Sequence, residues 1–77
     1  MECVIKGTKT IQEFKDVLAS MEERAQRYSK QHMVACENWQ EGLPVKCWRG
    51  TFDSLWIEYE SGNCWQYRET SFGLEWL

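Results

Sequence analysis

His32 and Cys36 stand four residues apart, the spacing that puts two side chains on one face of a helix. A thiol with a base beside it is the minimum of a cysteine nucleophile, so catalysis is the first chemistry to consider. Both residues, however, continue an apolar stripe that reads as the packing side of a helix, and packing is the stronger reading. Glu58 and Glu60 share one face of a strand pattern, with Glu69 near. Paired carboxylates do acid–base work only in a cleft, and a small sheet offers little concavity. Arg49 and Arg68 read better as neighbours that neutralise them. The cysteines fall at 3, 36, 47 and 64, without the close Cys-x₂-Cys pair of a zinc site. The chain reads as no enzyme, with no cofactor and no metal.

What remains is aromatic. Residues 47–67, CWRGTFDSLWIEYESGNCWQY, hold Trp48, Trp56, Trp65, Tyr59 and Tyr67. Some of these rings must build the core of so short a chain. Others are free to meet a partner, because Trp and Arg are the residue types that dominate protein–protein hot spots. Which ring faces which way depends on the elements that carry them.

The chain has 77 residues, one domain spanning 1–77. A chain of this size buries only about 60% of its unfolded surface, and large rings are the economical way to fill a small core. The start, Met1-Glu2-Cys3, has no basic or apolar run of a signal peptide. No stretch approaches the length of a membrane span. A cytoplasmic protein with reduced thiols and no membrane partner is the expectation. The net charge of −3 argues against a nucleic-acid ligand, whose affinity comes largely from neutralised phosphates. A single-stranded nucleic-acid binder would need Lys46, Arg49, Arg68 and Trp56 to form one basic platform.

Thr10-Ile11-Gln12-Glu13 is a capping box that opens a helix. Ile11, Phe14, Val17, Leu18, Met21, Ala25 and Tyr28 then draw one apolar stripe, continued by His32, Ala35, Cys36 and Trp39. Gly42-Leu43-Pro44 is the first stop signal, which predicts a helix over about 11–40. The alternative is a break near 31–33. After Pro44 the period changes to two. Strands are expected over 45–49, 55–60 and 64–69, with Met1–Lys6 as a fourth and the Phe72–Leu77 tail docked on the domain. The fold expected is α+β: a long N-terminal helix packed on a three- to four-stranded antiparallel sheet.

Register assigns the rings. A three-residue loop at Ser61–Asn63 pairs Tyr59 with Trp65 and Ile57 with Tyr67, collecting Leu55, Ile57, Tyr59, Trp65 and Tyr67 on one face. A one-residue slip would scatter them. Pairing Gly50 with Leu55 adds Trp48 to that inner face. Arg49, Trp56 and Arg68 then form a row across the outer face, with Glu58 beside it. Two guanidinium groups over an indole make a packing unit, and the same group makes a candidate partner-binding site: Arg49, Trp56, Glu58 and Arg68.

Leu55-Trp56-Ile57-Glu58-Tyr59-Glu60-Ser61-Gly62-Asn63-Cys64-Trp65-Gln66-Tyr67 resembles a group of small uncharacterised helix-plus-β-hairpin proteins of Firmicutes and their phages and mobile elements. Ile57, Tyr59, Glu60, Gly62, Trp65 and Tyr67 match its pattern, and Ala35–Gln40 is similar to its segment before the hairpin. Cys64 and Gln66 depart from it, where a second aromatic and often a histidine are expected. The resemblance implies a bacterial or phage origin and no activity. It makes an inhibitor or adaptor of host machinery the natural form of the leading expectation: a small module that binds another protein or a second copy of itself.

Overall fold

Thr10 starts the helix. In the computed structural model, which describes residues 1–77, its backbone is extended and its Oγ1 accepts the Glu13 N–H at 3.0 Å. The Glu13 carboxylate reaches past Thr10 to accept the Lys9 N–H at 3.1 Å. These contacts tie the incoming loop to the first turn, where a carboxylate also suits the helix dipole. Helix α1 runs Ile11–Ala35. Met21, Ala25, Tyr28, Ser29 and His32 form its buried stripe. The first two turns overhang the sheet, so Ile11 is 77% exposed and Phe14 43%.

The helix ends at Ala35, not near residue 40. The Cys36 N–H closes it on the His32 and Met33 carbonyls. At 1.5 Å per residue a helix continued to 40 would overrun the sheet further, leaving three residues to return to a strand that begins at Pro44. The chain turns earlier. Trp39 folds back, its indole N–H donating to the Gly42 carbonyl at 2.7 Å. Gly42 does adopt the left-handed conformation (φ +80°), but inside this return loop.

The sheet has five strands in the order β1-β2-β3-β4-β5: β1 Glu2–Val4, β2 Pro44–Arg49, β3 Leu55–Tyr59, β4 Cys64–Thr70 and β5 Gly73–Trp76. The α+β class holds, with two corrections to the expected antiparallel sheet. β1 pairs with β2 in parallel, because α1 carries the chain back along the sheet between them. The tail docks as a full strand, β5, antiparallel to β4. It follows a tight turn in which Thr70 Oγ1 accepts the Phe72 N–H and donates to the Gly73 carbonyl.

The second hairpin keeps the expected faces in a different register. Ile57 lies opposite Trp65 and Leu55 opposite Tyr67, two residues from the expected pairs, so every side chain stays on its side. The first hairpin slips by one. Arg49, not Gly50, lies opposite Leu55, and Trp48 lies opposite Trp56. A 3₁₀ turn, Thr51–Asp53, sets this loop, with Phe52 and Asp53 at φ +54° and +59°. Arg24 of α1 holds it by donating to the Asp53 carbonyl at 2.5 Å. The slip turns Trp48 outward and Cys47 inward.

The core is Met21, Ala25 and Tyr28 from the helix against Cys47, Leu55, Ile57, Tyr59 and Tyr67 from the sheet. The one helix covers one face of the sheet. The molecule's thinnest extent, 17 Å, holds only these two layers. No helix is long and apolar enough to cross a membrane.

Candidate functional site

The uncovered sheet face carries Trp56 and Glu58, as expected, but not the row expected around them. Arg49 belongs to the opposite parity, across from the buried Leu55, and reaches round the sheet edge. Arg68 is on the outer face one step further along, bonded to Glu75 through Nε at 2.9 Å. Trp56 therefore has Trp48 on one side and Gln66 on the other. The row that forms is Val4–Trp48–Trp56–Gln66. Trp48 is the ring that sequence reasoning misplaced. Aromatic cross-strand pairs stabilise a sheet, and an outer Trp48–Trp56 pair was the signal available for the other register.

The two indoles lie nearly parallel, 8° between planes and 6.1 Å between centroids. Both are partly exposed. Gly50 backs this stack at close range: a Cβ there would stand 2.9 Å from Trp56 and 2.5 Å from Ser54 Oγ. Gln66 donates to Ser54 Oγ at 2.7 Å, which fixes the far side of the row. The pair is thus held by its neighbours without being covered by them. Beside it runs a charged row, Glu2–Lys46–Glu58–Cys64, in which Lys46 stands between two acids and its Nζ lies 5.9 Å from the Trp48 ring.

The arginines divide sharply. Arg24 is paired with Asp53, Arg27 with Glu23 and Glu69, and Arg68 with Glu75. The pairing holds the Glu69 carboxyl below its ordinary range. Arg49 has no carboxylate partner; its one hydrogen bond is to the Lys6 carbonyl at 3.5 Å. Lys6, Lys46 and Arg49 converge with Val4 and Trp48 on a cleft of about 400 Å³ that contains no acidic residue. A larger cleft of about 540 Å³ lies between α1 and the strand ends; Arg49 lines it too, and its Arg24 and Arg27 face their own acids, Asp53 and Glu69, within it. The cations without an ion pair at the molecule's edge, Lys6 and Arg49 with Lys46 between its flanking acids, are therefore beside Trp48.

On the helix side, His32 sits in a ring of aromatics. Trp76 stacks on it at 4.4 Å, with Trp39 and Trp65 edge-on at 4.8 and 5.1 Å. Its Nδ1 is 2.6 Å from Tyr67 Oη, which is 2.5 Å from Tyr59 Oη. Burial lowers the His32 pKa, opposed in part by Glu41, and raises the pKa of both tyrosines. Neutral His32, Tyr67 and Tyr59 thus form one continuous hydrogen-bonded line with the Tyr67 hydroxyl in its middle, its direction set by which ring nitrogen carries the imidazole proton. Cys36 is exposed at the helix end and makes no side-chain bond to His32. The imidazole that sequence spacing offered to Cys36 is committed to Tyr67.

No protein-family model, curated protein or solved structure matches this chain.

Proposed function

We propose that the chain is a non-enzymatic interaction module that docks an acidic segment of a partner protein on the open face of its sheet. One observation carries this reading: the stacked, nearly parallel Trp48–Trp56 pair stands on the face without a helix. Aromatic rings held rigid and left partly open are what hot spots are made of. Lys6, Lys46 and Arg49 beside them lack bonded acids, so the complementary surface is acidic. Trp56 and Glu58 belong to this face, with Trp48 at its centre. Arg49 acts from the rim, and Arg68 stays tied to Glu75. Such a module works by occupying a partner's surface, as an inhibitor or adaptor does.

Panning random displayed peptides on the immobilised protein tests the reading. Peptides with Asp or Glu beside a large apolar residue are expected, lost on Trp56→Ala and weakened at least tenfold by Arg49→Glu, about 1.4 kcal/mol. No enrichment, or enrichment indifferent to both changes, overturns it. A second reading draws on the same cations around the Trp48 indole: bases of a single strand could stack there. Salt-dependent binding of an oligothymidylate, with no peptide enriched, would put that reading first. A dimer in sedimentation that Trp56→Ala dissociates would instead give the face to a second copy.

A further inference from the structure

Cys3 and Cys47 lie directly opposite each other on β1 and β2. Their sulfurs are 3.4 Å apart, with the Cys47 thiol donating to Cys3. The other two cysteines, Cys36 and Cys64, are exposed, and neither has a cysteine opposite it. We propose that Cys3 and Cys47 are an oxidisable pair, which a low-molecular-weight disulfide converts into an intramolecular bond stapling β1 to β2.

A disulfide needs about 2.05 Å between sulfurs, so the pair must close by about 1.4 Å. β1 can supply that shift. It is three residues long, lies at the sheet edge, and pairs on one side only. The two thiols differ in access, and this orders the steps. Cys3 is partly exposed, while Cys47 is fully buried. The Cys3 thiolate attacks the small disulfide, forms a mixed disulfide and releases one small thiolate. The Cys47 thiolate then attacks the Cys3 sulfur, forms the internal bond and releases the second. The reagent gains the two electrons that the protein pair loses, and the two protons leave to solvent or to the released thiolates.

The second step is slow and base-dependent. Burial, helped by Cys3 and by the Glu22 carboxylate on α1, pushes the Cys47 thiol up to about 12, while the Met1 amino group opposes this weakly. On its other side Cys47 meets only Ile57 of β3 in the pairing register. Only a small thiolate fraction exists near neutrality, and it grows about tenfold per pH unit. The bond would also fix one wall of the basic cleft, since Val4 and Lys6 lie on or beside β1.

The experiment uses the full chain carrying Cys36→Ser and Cys64→Ser, incubated with oxidised glutathione. Peptide mapping should show a glutathione adduct on Cys3 that gives way to a peptide linking 3 and 47, lighter by two hydrogens than the reduced pair. Closure should accelerate about tenfold per pH unit from about pH 7 to about pH 9. The closed form should melt higher by on the order of 10 °C, given the long loop it closes. Cys3→Ser should block the adduct altogether, and Cys47→Ala should stop at the adduct. An adduct on Cys3 that persists at the higher pH in the chain retaining Cys47 overturns the proposal. So does the absence of any adduct on Cys3. Both measurements read the parent chain, so they stand even if Cys47→Ala fails to fold.

Discussion

The hydroxyl of Tyr67 does two jobs at once. It is hydrogen-bonded to both the His32 Nδ1 and the Tyr59 hydroxyl, all three groups being out of water. Removing it leaves the His32 Nδ1 and the Tyr59 hydroxyl both unpaired, whereas removing the Tyr59 hydroxyl leaves the Tyr67–His32 bond in place. Unmet buried groups cost about 1–3 kcal/mol each, and a lost net hydrogen bond about 1. Urea denaturation should therefore show Tyr67→Phe costing about 2–4 kcal/mol and Tyr59→Phe about 1 kcal/mol. Equal losses would mean that the line has another donor or acceptor. None of this was legible in the sequence as a network. Tyr59, Tyr67 and Trp65 were assigned inward from alternation alone, and His32 from helical spacing. That they meet at one point depends on α1 crossing the third and fourth strands, which pattern does not encode.

At the scale of elements, legibility followed the length of the signal. The helix start rests on a cap with a defined hydrogen bond, and it fell where Thr10 put it. The inner face of β3 and β4 rests on five residues agreeing, and survived a two-residue register error because parity was kept. β2 had only Trp48 to vote with, and size misled. Bulk points the ring inward, while the small Cys47 fits in the core with Met21 and Ala25 and opposite Cys3. The deciding part was the loop Gly50–Ser54, whose two left-handed residues could not be read from Thr-Phe-Asp. Phe52 is the odd member: an L-residue at φ +54°, 89% exposed. The left-handed conformation costs about 1–2 kcal/mol, and glycine returns about 0.5–1 of that to the unfolded chain. Phe52→Gly should raise stability by about 0.5 kcal/mol in thermal melts. A loss instead would show that the ring packs in solution against Val17 and Met21, its neighbours along the larger cleft.

For the molecule as a whole, His32 makes stability depend on pH. Its folded pKa lies below the ordinary value of 6.5 because burial disfavours the imidazolium. Between those two values the unfolded chain binds more protons than the folded one, so stability rises with pH there. It is complete above about 6.5 and falls as the pH drops below that. The Glu41 and Glu69 carboxyls, both lowered from 4.5, add their own loss only in stronger acid. The melting temperature should fall between about pH 7 and about pH 5.5. His32→Gln keeps an acceptor for Tyr67 without titrating, and should flatten that slope. An unchanged slope would place the responsible proton elsewhere.

The parallel pairing of β1 with β2 also bears on how the chain comes together. β2 to β5 form a meander whose neighbours in space are neighbours in sequence, so each hairpin closes a short loop. Glu2 meets Lys46, and Cys3 meets Cys47, only after the entire helix has been laid between them. Contacts that distant are entropically expensive to make early. During synthesis β1 leaves the ribosome ahead of the other four strands and must wait for β2 to find its place. Until β2 arrives, Val4 and Ile5 travel as a short, sticky segment without a strand partner, and a nascent chain held before residue 44 has only α1 to shield them with.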